Sequence, residues 1–116
     1  MTPDVLWRRY AAIWAADETS RSTELEACLH ETGSYCDPNG LIEGRSALSA
    51  YMGNFQQFAP GAKFHISSVA EHHGRSFSSW TLQATDGSVL QQGRSFASHD
   101  EQGRLRHITG FFDSKP

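Results

Sequence analysis

Cysteine is scarce in this chain of 116 residues: there are two, Cys28 and Cys36. They cannot build a disulfide framework, and they are not spaced as Cys-x-x-Cys, so redox chemistry has no support. With no export signal in view they are expected to be reduced and buried as small apolar side chains. An excess of either charge is also missing. Ten Lys+Arg stand against thirteen Asp+Glu, a formal net charge of −3. That leaves no basic stripe for a nucleic-acid partner. The one basic doublet, Arg8-Arg9, is expected on a solvated helix face. Long apolar runs are absent, so no membrane span is expected. Residues 1–16 lack the apolar core and small-residue cleavage site of a signal peptide, and the expected location is cytoplasmic.

Motifs for metal and phosphate are lacking as well. Six histidines occur, but neither His-x-His nor His-Glu-x-x-His. Adjacent His72 and His73 would point to opposite faces of a strand. No metal is expected. The glycines do not form a phosphate loop, no Ser-His-Asp arrangement can be assigned, and no cofactor is expected. His65 or His107 could still carry a proton, since histidine titrates near neutrality. No repeat, low-complexity tract or linker divides the chain, so residues 1–116 are read as one domain. A domain of this length buries roughly two-thirds of its unfolded-chain surface and needs no staples.

What is present splits into a helical first half and a stranded second half. Thr2-Pro3-Asp4 is a helix start, with Leu6, Tyr10, Ile13 and Trp14 on one stripe. Asp17 to Ser22 breaks the pattern with polar cap residues. A shorter helix follows with Leu25, Cys28 and Leu29 on one face, and Gly33 ends it. A third helix runs from Gly44 to Phe58, with Leu48, Tyr51, Met52, Phe55 and Phe58 inward; Pro60-Gly61 stops it. Four long strands are predicted at 63–72, 75–85, 88–99 and 104–113, joined by turn chemistry that includes Asp86-Gly87. Successive hairpins make an antiparallel meander. The order ααβαββββ is α+β, three helices against a strongly curved antiparallel sheet.

The most informative run is Tyr35-Cys36-Asp37-Pro38-Asn39-Gly40-Leu41-Ile42. It reads as a strand end followed by a turn, because Pro38 disfavours helix at Asp37 and Pro-Asn-Gly is strong turn chemistry. Tyr35 and Asp37 then share one face. If that face is interior, a carboxylate stands at the edge of an apolar cavity, where it can shuttle a proton. The alternative is a turn-capping carboxylate in water.

Several segments together resemble the nuclear transport factor 2-like superfamily, and within it the SnoaL-like and ketosteroid-isomerase-like branch, over roughly residues 5–113. They are Tyr10-Ala-Ala-Ile-Trp14, Tyr35-Cys36-Asp37-Pro38-Asn39-Gly40, Gly44-Arg45-Ser46-Ala47-Leu48, Trp80, Gly93-Arg94-Ser95-Phe96 and Asp100-Glu101-Gln102-Gly103-Arg104-Leu105. The resemblance implies a cone-shaped, cystatin-like fold. It also implies that Asp37 is a general base moving a proton between carbons next to a carbonyl, and that Tyr10 donates to the developing oxyanion. Where such isomerases hold a protonated Asp as second donor, this chain holds Ser95. A neutral hydroxyl is the weaker donor, and losing one oxyanion donor costs about 10²–10³ in rate.

The resemblance thus makes Asp37, Tyr10 and Ser95 the catalytic candidates. For Tyr10 the spacing alone favours a core aromatic on its stripe. The candidate pocket residues are Trp14, Tyr35, Phe55, Phe58, Phe77, Thr81, Gln83, Gln91, Ile108 and Phe112. An inward Ser95 brings Gln91, Gly93 and Ala97 with it by period two, and hairpin pairing would add Ser79, Thr81 and Gln83. A one-residue slip would reverse that face. The expected ligand is a small hydrophobic oxygenated molecule, carrying a carbonyl if the domain is an isomerase or cyclase. A non-catalytic ligand-binding or dimerisation module of the same fold is the alternative. The opposite sheet face, with Trp80, Leu82, Phe96 and Phe111, is the expected homodimer surface.

Overall fold

The computed structural model describes residues 1–113. Helix α1 (Pro3–Ile13) begins as the sequence directs: Thr2 caps it by accepting from the Val5 N–H at 3.2 Å, and Pro3 takes the first helical position. Its stripe is buried, with Leu6, Tyr10, Ile13 and Trp14 all at 5 % exposure or less. Helix α2 (Glu18–Cys28) starts earlier than expected. The polar segment from Asp17 to Ser22 is its first turns rather than a break, because Asp17 caps it by accepting from the Ser20 N–H at 2.8 Å.

Strand β1 (Leu29–Asp37) follows directly. Gly33 therefore lies inside a strand and does not end a helix. A Cβ there would stand 2.6 Å from the Arg106 carbonyl oxygen and 2.7 Å from the Leu29 side chain, so only glycine fits this close strand approach. A tight turn leads into a short strand the sequence reading lacked, β2 (Gly40–Glu43), which pairs antiparallel with the end of β1. Helix α3 (Arg45–Phe58) comes next, then four long strands: β3 (Lys63–His72), β4 (Arg75–Gln83), β5 (Val89–His99) and β6 (Leu105–Phe112). The chain is α+β with one six-stranded sheet in the order β2-β1-β6-β5-β4-β3. The meander is antiparallel as expected, but β1 and β6 run parallel, with Tyr35 opposite Ile108 and Cys36 opposite Thr109. That junction joins segments from opposite ends of the chain, so no local turn signal announces it.

The helices cover one face of the sheet. Arg8 reaches from α1 to the Ile66 carbonyl of β3 at 3.0 Å, and the Trp7 indole N–H donates to Ser76 of β4 at 2.8 Å. Leu25, Leu29, Leu48, Met52, Leu105 and Ile108 fill the space between, all at 1 % exposure or less.

The β4–β5 hairpin decides what faces the helices, and here the expected register is corrected. The Ala84 N–H donates to the Ser88 carbonyl, and Gln83 lies opposite Val89. Continued unchanged, that register would put odd-numbered residues of both strands on one face. Leu90 is inserted as a bulge, after which Leu82 faces Gln91, Trp80 faces Gly93 and Ser78 faces Ser95. One extra residue reverses the face of a strand. Gln91, Gly93, Ser95 and Ala97 point inward as predicted, but their partners are Ser76, Ser78, Trp80 and Leu82. Ser79, Thr81 and Gln83 lie on the outer face. Trp80 and Leu82 are buried, at 7 % and 8 % exposure, and are not part of the outer surface. Gly93 gives the Trp80 ring its place, since a Cβ would stand 2.5 Å from it. On the outer face Phe96 packs against Phe77 and Phe111, with ring centroids 5.6 and 6.1 Å away. A homodimer through that face would rest on Phe96 and Phe111, joined by Phe77.

Candidate active site

Between α1, α3 and the concave sheet lies a cavity of about 590 Å³. Its walls are aromatic: Trp7, Tyr10 and Trp14 from α1, Tyr51, Phe55 and Phe58 from α3, and Tyr35, Phe64, Trp80 and Phe112 from the strands. Ala11, Ile66 and Leu82 complete the apolar lining. Asn39, Asn54, Gln91, Ser78, Ser95 and Asp37 supply its polar atoms, and among the lining residues Asp37 is the one with a carboxyl group; none is Lys, Arg or His. Such a cleft, mostly apolar with a few convergent polar groups, is the usual form of a small-molecule site.

Asp37 ends β1 just before the Pro38 turn, and β1 alternation sends its carboxylate to the same side as Tyr35. Tyr35 O–H donates to one carboxylate oxygen at 2.7 Å, and the Asn39 backbone N–H donates to the other at 2.8 Å. Tyr51 O–H, from α3, reaches both at 2.9 and 3.1 Å. Asp37 thus both caps the turn and lines the cavity. All its donors are neutral. Burial pushes the Tyr35 hydroxyl far above its ordinary value, with Tyr10 and the bond to Asp37 adding to it. Burial and the same carboxylate push Tyr51 up to about 12. Both phenols remain protonated donors through neutral pH.

Tyr10 is 4 % exposed and lines the cavity, yet its hydroxyl has no hydrogen-bond partner. Burial, and then the charge of Asp37, drive its titration far upward. Ser95 lines the same cavity, and its Oγ accepts the Trp80 indole N–H at 3.0 Å. The three catalytic candidates therefore share one wall-to-wall space.

The pocket candidates divide. Trp14, Tyr35, Phe55, Phe58, Gln91 and Phe112 line the cavity. Phe58 does so at its mouth, 94 % exposed, and not as an inward core residue. Phe77, Thr81 and Gln83 are on the far side of the sheet because of the Leu90 bulge, and Ile108 is packed in the core and does not line the cavity. His65 is exposed, and His107 pairs with Ser34 at 2.8 Å away from the cavity, so neither stands where a second proton carrier would be needed. Among the described residues, no three metal-ligating side chains cluster.

Sequence reasoning passed over Tyr51, Trp7, Phe64 and Ser78 as site residues. Trp7 could have been found, since Trp7, Ala11 and Trp14 follow helical spacing beside the chosen stripe. Nothing in the sequence links Tyr51 to Asp37, fourteen positions away across a turn and a strand.

The model of the SnoaL-like domain matches residues 7–111. The chain belongs to the SnoaL-like domain family. A solved structure from Agrobacterium tumefaciens, described as a candidate isomerase of that family, is 26 % identical, with a TM-score of 0.90 over 98 % of this chain and 100 % of its own. An NTF2-like protein of unknown function from Exiguobacterium has a TM-score of 0.75 at 16 % identity, covering 95 % of this chain and 99 % of its own. A candidate ketosteroid isomerase from Kribbella flavida has a TM-score of 0.68 at 19 % identity, covering 97 % and 78 %. No curated protein matches the sequence. The SnoaL-like chain thus has the cystatin-like, NTF2-like fold expected of it, and no helix among its described residues is long and apolar enough to cross a membrane.

Proposed function

We propose that this SnoaL-like domain is a cofactor-free isomerase or cyclase that moves a proton on a carbonyl-bearing hydrophobic molecule. The observation that carries the reading is the environment of Asp37: a carboxylate on the wall of an aromatic cavity, held by neutral donors alone. A carboxylate offers about four lone-pair sites. Tyr35, Tyr51 and the Asn39 N–H bring three donor protons to them, the Tyr51 proton shared between both oxygens, so one further proton can be taken up. Two structural relatives described as candidate isomerases support the same reading.

In the reaction, an Asp37 oxygen takes a proton from the carbon next to the ligand carbonyl. The C–H pair becomes a carbon–carbon π bond, and the carbonyl π pair moves onto oxygen. The unpartnered Tyr10 hydroxyl donates to that oxyanion; Ser95 is the second candidate donor, its Oγ proton free while its lone pair accepts from Trp80. Asp37 then returns the proton to the same carbon, to another carbon along the enolate, or assists its attack on an internal electrophile. Each step balances without an external oxidant, reductant or metal.

The experiment is α-proton exchange of 2-tetralone in D₂O, followed by NMR. The protein is expected to speed exchange, and Asp37→Asn to abolish the acceleration. Tight binding of tetralone without any acceleration would instead support a ligand-binding module. One observation favours that second reading: serine, and not an acid, stands at position 95.

A further inference from the structure

Of the four buried serines among the described residues, three have their hydroxyls engaged. Ser49 accepts from Arg21, Ser76 from the Trp7 indole while also pairing with His99, and Ser95 from the Trp80 indole. Ser78 does not. It is 0 % exposed, it lines the aromatic cavity, and its Oγ has no partner. Alanine at this inward position of β4 would avoid the cost of burying a hydroxyl unpaired. The two residues flanking it on the same face show the contrast: Ser76 is fully paired with protein groups, and Trp80 spends its N–H on Ser95. Ser78 is the one hydroxyl of that strand face left in the cavity wall with no partner.

The sheet places Ser78 three strands away from Asp37 and one strand beyond Ser95. Ser78 lies opposite Ser95, Ser95 opposite Gly110, and Gly110 follows the Cys36–Thr109 pair that adjoins Asp37. Three strand spacings separate Ser78 from Asp37, no more than roughly 14 Å along a curved floor. Gly110 leaves room for the side chains between: a Cβ there would stand 3.3 Å from the Ser95 Oγ and 3.7 Å from the Tyr35 hydroxyl.

We propose that Ser78 is a specificity-determining residue that hydrogen-bonds a second oxygen of the ligand, a hydroxyl or carbonyl remote from the carbon that Asp37 serves. The inference rests on the cavity being the ligand site, and it narrows the substrate class to hydrophobic molecules carrying two separated oxygen functions. A serine hydroxyl both donates and accepts, so either oxygen type satisfies it.

The test measures binding and not exchange, so its failure is separate from failure of the proton-transfer reading. The probes are 2-tetralone and 4-phenylcyclohexanone, each with and without a hydroxyl on the aromatic ring, titrated calorimetrically. The intact protein is expected to bind at least one hydroxylated ketone about three- to tenfold tighter than its parent. Ser78→Ala is expected to erase that preference, bringing the ratio of the two affinities to about one. Ser78→Cys, which keeps the size but is a weak donor, is expected to cut the preference and serves if the alanine variant does not fold. Equal affinities for every pair, absence of measurable binding, or a preference that survives Ser78→Ala overturns the proposal. So does a lowered melting temperature of ligand-free Ser78→Ala with the preference intact, which would make the hydroxyl a structural one.

Discussion

Asp37 and Asp100 both stand at strand ends, both accept several hydrogen bonds, and both hold a turn together, yet their partners differ in kind. Asp100, just after β5, accepts from the backbone N–H groups of Gln102 and Arg104 at 2.9 Å, from the Arg104 side chain at 2.8 Å and pairs with His30 at 2.9 Å. Burial alone would raise it, but His30, Arg104 and the backbone donors outweigh burial and hold the carboxyl at about 2. Asp37 has phenols and one backbone N–H, with no cation in contact. An ion-paired carboxylate with four donors is a structural clamp and gives up its charge only in strong acid. A carboxylate held by neutral groups beside an apolar space keeps a lone pair for chemistry. On the proposed reading, what separates the structural acid from the reactive one is the charge of the donors and the open side, not the number of hydrogen bonds.

The comparison can be broken most sharply at Asp37. Asp37→Asn is expected to lower α-proton exchange by about 10²–10⁴-fold, with the melting temperature little changed. Tyr10→Phe is expected to cost about 10²-fold in the same assay while raising stability in chemical denaturation by about 1 kcal/mol, since the hydroxyl it removes is buried without a partner in the ligand-free chain. Asp100→Asn is expected to do the opposite. It should cost about 2–3 kcal/mol in urea denaturation at neutral pH and leave the exchange rate per folded molecule alone.

Acid titration sharpens the same contrast. A carboxyl lying near 3.9 in the unfolded chain and about 2 in the folded one contributes stability that is fully present above the unfolded value. That contribution is lost as pH falls through about 2, so the intact chain is expected to lose about 2 kcal/mol between roughly pH 4 and 2, and Asp100→Asn to lack that portion of the loss. The smallest effect is expected at Tyr51→Phe, which removes one neutral donor from Asp37. It should lower stability by about 1 kcal/mol and exchange by less than tenfold.

Much of the frame was legible in the residues. Thr2-Pro3 predicted the start of α1, Pro38-Asn39-Gly40 the turn after Asp37, and the glycine-bearing turns the ends of the four long strands. The inward set Gln91, Gly93, Ser95 and Ala97 followed from period two. The lining of the opposite strand did not, because Leu90 adds one residue to β5 and a bulge has no composition signal here. Gly33 read as a helix stop because glycine is as fit for a crowded strand crossing as for a cap, and its reason, the Arg106 carbonyl 2.6 Å away from a would-be Cβ, comes from β6.

Local preference by itself determined the helices, the hairpin turns and the position of Asp37 at a strand end, since caps, periodicity and proline act within a few residues. Which side of β4 meets the helices, the parallel seam of β1 with β6, the Tyr51 contact to Asp37 and the solitary Ser78 hydroxyl were decided only in the folded chain. Those features depend on segments far apart in sequence being brought to within a hydrogen bond, and a single inserted residue is enough to exchange one face of a strand for the other.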